Sequence, residues 1–406
     1  MSEGPLAGLR VLEYCRLVSG PYCTKLLADL GAEVIKIEEP GAGDPARAIG
    51  PFPGDLPHPE RSGLFLYLNT NKLGITLSLK GTAGRRIFKE LLKAMDVLVE
   101  DSPPGTMEEM GLDYQSLSQA LPGLIMTSIT PFGQTGPYKD YKAYPLTTFH
   151  ASGQGYHMQG LGGEKYLDRE PIKVGGLVSE YDPGMNAAVA ILGAVYGREF
   201  TGQGQHIDIS KQESLLALLR VEAALYANHD VEAAGSRGGL KRMPGGMVRC
   251  QDGYVATTTP LEHQWQALVK LLGSPEWAEE EWARDRATRT QHVAKLDPLI
   301  GEGMAHRTKQ ELYHAGQALS CPIAPVESAQ DIAQSPQLAA RGFFAEVEHP
   351  QAGRLRYATT PYQFSETPGR LARPAPLLGE HNELIYWGRL GYSREELVRL
   401  RQAAVI

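Results

Sequence analysis

The amino-acid sequence predicts an α/β protein with a Rossmann-like large domain, built on a parallel sheet, and a smaller α+β domain. Three observations support this fold class. Short apolar strands alternate with helical patterns from residue 9 to residue 128, which is typical of parallel strands joined by crossover helices. The length of 406 residues exceeds what one hydrophobic core ordinarily serves. A glycine-rich stretch at 235–246 separates two regions with their own strand and helix patterns.

The first half of the chain carries a strand at 9–13 and four further strand patterns. Pro21 starts the first helix and Gly31 ends it, because proline favours the first helical turn and glycine the position after the last. A second helix is predicted at 83–95. The later strands, in which apolar and β-branched residues recur at alternate positions, are predicted at 32–37, 74–79, 96–99 and 123–128.

The second half begins with a long helical pattern rich in small residues. Asp182 and Pro183 have the residue types of an N-cap and a first helical position, so the helix is predicted to start there. A strand at 205–209, a helix at 213–228 and a strand at 253–259 follow. The predicted domains are the first part of the large domain at 1–225, a small domain with linkers at 226–330, and a C-terminal segment at 331–406 that returns to the large domain.

The composition argues against several classes of protein. The formal net charge is −7, whereas a general nucleic-acid binder needs clustered lysine and arginine. The sequence has no apolar run that spans a bilayer and no signal peptide pattern at its start, so a cytoplasmic protein without membrane partners is expected. The four cysteines form no CxxC and no zinc-spaced cluster with histidine, which predicts free thiols and no metal site.

The glycines of a dinucleotide-binding fingerprint are missing. In that fingerprint GxGxxG follows the first strand, but Ser19-Gly20-Pro21 stands at this place. The parallel sheet is therefore expected to serve a different ligand.

Eight segments in one order along almost the whole chain indicate a family. The segments are PLAGLRVLE, RLVSGPYCTKLLADLGAEVIKIE, NTNKLGITLSLK, DVLVEDSPPGTMEEMGLDY, SITPFGQTGPY, TGQGQHIDIS, SPQLAARGFFAEVEHP and RPAPLLGEHN. Together they resemble the class III coenzyme A transferases, the CaiB/BaiF-like family. Its members move CoA from an acyl-CoA to a carboxylic acid. The resemblance implies an interlocked dimer, either a homodimer or a heterodimer with a homologous subunit. It implies CoA and acyl-CoA as substrates and no tightly bound cofactor.

The resemblance also implies a carboxylate nucleophile. In the family an aspartate attacks the thioester and forms a mixed anhydride, and it lies four residues before a glycine at the start of a helix. Counting four residues back from Gly184 gives Glu180, a carboxylate that is one methylene longer. Misplacing the attacking oxygen by about 1 Å costs roughly a hundredfold in rate unless the pocket compensates. Asp182 is the nearby rival, although its predicted N-cap role would occupy its side chain.

Further residues are expected to face CoA or the substrate because of their positions in the family pattern. They are Arg16, Val18, Ser19, Lys72, Asp101, Lys142 and Tyr144. Several neighbouring positions depart from the pattern. Leu73 and Glu109 stand where relatives often carry arginine, and Asp101 stands where they carry asparagine. A phosphate needs cationic or backbone partners, so a glutamate there reverses the local charge.

Three functions remain open at this point. The chain is an active CoA-transferase that uses Glu180 and a succinyl-CoA-like donor, or it is a weakly active or non-catalytic subunit of a heteromeric transferase, such as those of the benzylsuccinate type. The third function is acyl-CoA racemisation, which relatives of the same fold perform with a His-Asp pair. Tyr144-Pro145 occupies that position, and a tyrosine, with an ordinary pKa of about 10, suits the task poorly. The sequence does not identify the acceptor acid.

Overall fold

The computed structural model describes residues 4–157, 170–219 and 244–406. The chain divides into two compact units. The first contains the described residues up to 155, together with 173–219 and 339–406; the second contains the described parts of 156–172 and 220–338. Within the described ranges, no helix is long and apolar enough to cross a membrane, and all four cysteines are buried free thiols.

A six-stranded parallel sheet forms the centre of the first unit. Its strands are β1 (Arg10–Tyr14), β2 (Glu33–Glu38), β3 (Leu73–Thr76), β4 (Val97–Glu100), β5 (Ile125–Thr130) and β6 (His206–Ser210). They lie in the order β3-β2-β1-β4-β5-β6, and every neighbouring pair is parallel. This is the strand order of a doubly wound Rossmann sheet. The predicted α/β fold class is confirmed.

Helices connect the strands and cover both faces of the sheet. Up to residue 219 they are α1 (Ser19–Asp29), α2 (Gly63–Leu68), α3 (Thr82–Leu92), α4 (Thr106–Glu109), α5 (Tyr114–Ser118), α6 (Pro145–Ala151), α7 (Gln154–His157), α8 (Val178–Thr201) and α9 (Lys211–Leu216). Short 3₁₀ turns lie at Pro45–Ala48, Pro53–Asp55 and Ala217–Leu219. The predicted helix at 213–228 corresponds to α9 and the last of these turns, and its residues from 220 to 228 lie outside the described residues.

Apolar side chains fill a core on each face of the sheet. Successive residues of a strand point to opposite faces, so Val11 and Val34 join one cluster while Leu12 and Ile35 join the other. Each of these four side chains is almost completely buried. Burial on both faces explains why the strands read as nearly continuous apolar runs in the sequence.

The second unit has its own antiparallel sheet and core. Strands β7 (Gly246–Cys250), β8 (Gly253–Thr257) and β9 (Ile323–Pro325) pair in that order. Trp265 is at the core, and the Arg289 guanidinium lies 4.6 Å from the centre of its ring. The helices are Glu262–Leu271, Glu281–Arg284, Arg286–Gln291, Val293–Met304, Lys309–Ala318, Ala329–Ala333 and, at the boundary, Pro336–Ala340, with a 3₁₀ turn at Glu276–Glu279.

The C-terminal part of the first unit covers the edge of the large sheet that is formed by β3. It contains a hairpin of β10 (Phe344–His349) and β11 (Gly353–Ala358), a π-helical turn at Glu383–Trp387, and a last helix at Arg394–Gln402. The Tyr386 hydroxyl donates a hydrogen bond to the carbonyl of Thr76 on edge strand β3, at 2.6 Å, and the Asn382 side chain bonds both the amide and the hydroxyl of Thr76. This covering protects β3 from pairing with another chain.

The predicted start of the long helix is wrong. Helix α8 begins at Val178, one turn earlier than expected, and the amides of Glu180 and Tyr181 donate to the carbonyl of Leu177. Pro183 therefore lies inside the helix instead of at its first position, and Asp182 is not the N-cap. The Asp-Pro pair resembles a helix start locally, but packing of the preceding turn against α1 extends the helix upstream. As a result, Glu180 lies in the first turn of α8.

Candidate active site

The carboxyl ends of the parallel strands bring several of the predicted site residues, among them Arg16 and Asp101, to one edge of the sheet. In a doubly wound sheet, ligands bind at this edge, where the strand order reverses; here the reversal lies between β1 and β4. Arg16 follows β1 and Asp101 follows β4. The backbone amide of Arg16 donates to Asp101 Oδ2 at 2.8 Å, so the two loops are joined at the reversal point.

Glu180 is held at this edge through one of its two carboxylate oxygens. The Ser19 hydroxyl donates to Glu180 Oε2 at 2.7 Å, and the Lys211 ammonium lies 2.6 Å from the same oxygen. No hydrogen bond to Oε1 accompanies these two among the residues that the structure describes. The first turn of a helix also favours a negative charge. The carboxylate is therefore fixed through Oε2, and Oε1 is left without a hydrogen bond among the described residues.

Close packing of α1 against α8 sets the distance between Ser19 and Glu180. A side-chain carbon built on Gly184 would lie 2.5 Å from the carbonyl oxygen of Ser19. The rings of Tyr22 and Tyr181 meet edge to face, with their centres 4.8 Å apart. Sterics thus explain why the family pattern has a glycine here, since a side chain at this position would separate the two helices.

A buried ionic cluster lies under the loop that carries Val18 and Ser19. Glu13 accepts from Lys36 and Lys72, both at 2.8 Å, and from the Thr24 hydroxyl at 2.6 Å. Burial raises the pKa of Glu13, but the two ammonium groups outweigh it and hold the pKa at about 2. The three charged side chains are fully buried.

Lys72 belongs to this cluster and not to the open edge of the sheet. Its ammonium donates to the carbonyl of Pro21 at 2.8 Å and to the side-chain oxygen of Asn69 at 2.9 Å. Burial lowers the pKa of Lys72 to about 8, although Glu13 opposes this shift. Because Pro21 is in the first turn of α1, Lys72 supports the segment that carries Ser19.

An open cleft of about 560 Å³ lies beside Asp101. Its lining includes three cationic side chains, those of Arg16, Lys80 and Arg85, and four carboxyl groups, those of Glu38, Glu39, Asp44 and Asp101. Lys80 is paired with Glu39 at 2.6 Å. The cleft therefore presents both cations and carboxylates, and a negatively charged ligand there would bind through Arg16, Arg85 and the strand-end backbone.

The other predicted residues occupy different environments. Val18 is buried, and its carbonyl accepts from the amide of Tyr22 at 2.8 Å. Lys142 and Tyr144 lie on the exposed segment before α6, where Tyr144 is 73% exposed and occupies the N-cap position. Neither is among the described hydrogen-bond partners of Glu180.

Lys211 is the site residue that sequence reasoning missed. It is the first residue of α9 and follows β6 directly. The predicted helix at 213–228 begins two residues after Lys211, so the lysine was not recognised at a helix start, where a cation is disfavoured. A lysine in that position, at the carboxyl edge of a parallel sheet, indicates a nearby anion.

The rival carboxylate, Asp182, has a different environment from Glu180. Its Oδ2 atom is buried without a hydrogen-bond partner among the described residues. Burial also raises the pKa of Asp182. It thus lacks the two donors that fix Glu180.

Comparison with known proteins identifies the family. The profile of CoA-transferase family III matches residues 6–382. The chain is 36% identical to the formyl-CoA:oxalate CoA-transferase of Streptomyces coelicolor, across 100% of both proteins. It is 32% identical to the succinyl-CoA:glutarate CoA-transferase of Mus musculus, across 100% of this chain and 91% of that protein. A CaiB/BaiF family protein from Brucella suis, 30% identical, matches with a TM-score of 0.83 over 96% of this chain and 100% of its own. The chain therefore belongs to CoA-transferase family III, the CaiB/BaiF family.

Proposed function

We propose that this chain transfers CoA from an acyl-CoA to a carboxylic acid and that the Glu180 carboxylate is its nucleophile. The observation that carries the proposal is the one-sided fixation of Glu180, in which Ser19 and Lys211 hold Oε2. A fixed carboxylate with one free oxygen suits attack on a carbonyl, because orientation supplies much of the rate enhancement. The longer side chain is compensated by these two donors.

The reaction proceeds through anhydride and thioester intermediates on Glu180. Oε1 attacks the thioester carbonyl, the C–S bond breaks, and a mixed anhydride and CoA thiolate form. The thiolate attacks the Glu180 carbonyl, which releases the donor acid as a carboxylate and leaves a Glu180–CoA thioester. The acceptor carboxylate attacks this thioester and forms a second anhydride. The thiolate then attacks the acceptor carbonyl, which gives the new acyl-CoA and regenerates Glu180.

For the substrates we infer a succinyl-CoA-like donor and a dicarboxylic acid acceptor. The relatives from Streptomyces and mouse are named for oxalate and glutarate, which are both dicarboxylic acids. In this proposal CoA binds the cleft beside Asp101, with Arg16, Val18 and Ser19 along its path. Lys142 and Tyr144 face the substrate from the segment before α6, and Lys72 acts only by supporting α1.

Asp101 makes CoA binding sensitive to pH. Burial raises the pKa of Asp101 to about 7, and Glu100 adds to the rise, while the Arg16 amide and the charges of Lys211 and Arg16 oppose it. The acid is neutral below that pH and charged above it, so it repels the CoA phosphates only at higher pH. We expect the affinity for CoA to fall about tenfold from about pH 6 to about pH 8.

Calorimetric titration of CoA into the wild type and Asp101→Asn checks this expectation. In the asparagine variant only the CoA phosphates change their charge over this pH range. Its affinity for CoA should therefore not show the tenfold fall. Equal pH profiles of the two proteins would show that Asp101 does not face the phosphates.

We further infer that a second copy of the chain packs against α8. An exposed apolar stripe runs along this helix, made by Met185, Val189, Tyr196 and Phe200. Gly193 lies within the stripe and has open space around it. Such a stripe on one helix face is typical of an interface between proteins, and the glycine permits close approach of a second backbone.

The double variant Tyr196→Glu/Phe200→Glu is expected to convert a dimer into monomers, measured by light scattering after gel filtration. Val398→Glu, at an exposed apolar position on the last helix, is the matched control and should remain dimeric. A wild type that is monomeric when purified alone would contradict the homodimer and favour a heteromer with a homologous subunit.

Trapping of the acylated enzyme tests the proposed function. Purified protein is mixed with succinyl-CoA and quenched with hydroxylamine, and the hydroxamate is located by mass spectrometry. We expect it at Glu180. An unlabelled chain whose activity returns with a homologous subunit would be a non-catalytic partner. Rapid loss of the α-deuterium of a 2-methylacyl-CoA without any label would indicate a racemase.

A further inference from the structure

We propose that Lys211 is a second catalytic residue, which binds the carboxylate of the acid substrate while Glu180 is acylated. This inference rests on the proposed function, because it requires Glu180 to be the nucleophile. In the resting site the ammonium lies 2.6 Å from Glu180 Oε2, with the two side chains 17% and 7% exposed. An ammonium group has three donors, and Glu180 is its hydrogen-bond acceptor among the described residues. Lys211 therefore has donors left for a second anion.

The charge on Glu180 changes during the proposed reaction, whereas the charge on Lys211 does not. Acylation converts the carboxylate into a neutral anhydride, and attack by the thiolate converts that into a neutral thioester. In both states the negative charge resides on a free group, first the CoA thiolate and then a carboxylate. A half-buried cation that has lost its partner favours binding of another anion. Lys211 can thus pair with the departing and then the incoming carboxylate.

The position of Lys211 in the fold also favours a bound anion. It is the first residue of α9, where the helix dipole disfavours a cation, so a nearby anion stabilises the ammonium. Besides Glu180, Asp101 also interacts with this cation, because the charge of Lys211 lowers the pKa of Asp101. That carboxyl is itself bound by the Arg16 amide at 2.8 Å. Below a pH of about 7, Asp101 is neutral, so it does not compete with the substrate acid for Lys211 once Glu180 is acylated.

Exchange of isotopically labelled succinate into succinyl-CoA at about pH 6.5 measures the acid-dependent steps, because Asp101 is then mostly neutral. We expect Lys211→Met to raise the KM for succinate and to lower kcat/KM for this acid about a hundredfold, as removal of a donor at a reacting anion does. Lys211→Arg should stay within about tenfold of the wild type, because a guanidinium also binds carboxylates.

Hydroxylamine trapping with succinyl-CoA alone measures the first acylation, in which no free acid takes part. Lys211→Met should slow this step less than it slows the exchange. A role limited to positioning Glu180 slows both steps equally and leaves the KM for succinate unchanged. If Lys211→Met does not fold, Lys211→Gln keeps a donor without the charge and should show the same rise in KM.

Arg198→Met is the matched control for a lost ion pair. Arg198 pairs with Asp96 at 3.3 Å near the other end of α8, and its side chain is 22% exposed. This variant should keep the wild-type KM for succinate. A KM unchanged in Lys211→Met, with Glu180 still labelled in the wild type, overturns the inference and leaves the proposed function standing. If the wild type exchanges succinate but carries no label at Glu180, both the inference and the proposed function are overturned.

Discussion

Replacing Glu180 with glutamine is expected to reduce CoA transfer by about 10⁴-fold or more, as the loss of a covalent nucleophile does in other enzymes. The amide cannot form the anhydride, yet its oxygen can still accept a hydrogen bond from Ser19. The variant therefore removes the proposed nucleophile and preserves much of the local packing. Exchange of labelled succinate into succinyl-CoA measures the loss, and thermal unfolding checks that the fold is intact.

Asp182→Asn is the matched control for this experiment. The two carboxylates are in the same helix, two residues apart, but Asp182 lacks the hydroxyl and ammonium partners of Glu180. We expect Asp182→Asn to exchange succinate at close to the wild-type rate. The opposite ranking, an active Glu180→Gln and an inactive Asp182→Asn, would assign the nucleophile to Asp182.

A shorter carboxylate tests how this site accommodates glutamate. Glu180→Asp restores the residue type of the family pattern, but Ser19 and Lys211 are placed for the longer side chain, at 2.7 and 2.6 Å from Oε2. Withdrawing the oxygen by about 1 Å should lower the rate about a hundredfold. A Glu180→Asp variant as fast as the wild type would show that the two donors do not fix the reacting oxygen.

The sequence predicted the sheet well because each strand carries its own local signal. Strands at 9–13, 32–37 and 96–99 agree with β1, β2 and β4 to within one residue at each end. Alternating or continuous apolar residues arise from burial on one or both faces, and neither depends on distant contacts.

The sequence patterns did not predict the contacts between residues that are far apart in the chain. Lys72 was expected to face CoA, but whether a lysine points outward or inward depends on where a carboxylate lies, and here Glu13 is inside. The Lys211–Glu180 pair joins residues 31 positions apart, and nothing local to either residue specifies its partner. The start of α8 was misplaced for a similar reason, because packing of Tyr181 on Tyr22 favours the extra turn.

The ionic cluster and the site are mechanically linked through α1. Lys72 holds the carbonyl of Pro21, and Ser19, two residues earlier, holds Glu180. A change in the buried charges is therefore expected to reach Glu180 through the position of this helix. A substitution in the cluster should therefore lower the stability of the fold more than it lowers the rate of CoA transfer.

Lys72→Met is expected to lower the free energy of unfolding by about 3–5 kcal/mol, the usual effect of removing one partner from a buried ion pair. Methionine has a similar length, so the main change is the loss of a charge that faces Glu13 in a fully buried site. Because Lys36 still pairs with Glu13 at 2.8 Å, we expect a loss of unfolding free energy toward the lower end of that range. Urea denaturation followed by circular dichroism measures the shift.

Lys80→Met serves as the exposed control, since the Lys80 side chain is 83% exposed and pairs with Glu39 at the surface. Surface pairs contribute little to stability, so this variant should unfold at nearly the wild-type urea concentration. The double variant Glu13→Gln/Lys72→Met removes a positive and a negative charge together and should recover part of the loss, because the surviving carboxylate is what makes the single variant unstable. If Lys72→Met is as stable as Lys80→Met, the charge of Lys72 does not stabilise the cluster, and the loop that carries Ser19 must be held by the packing of α1 against α8.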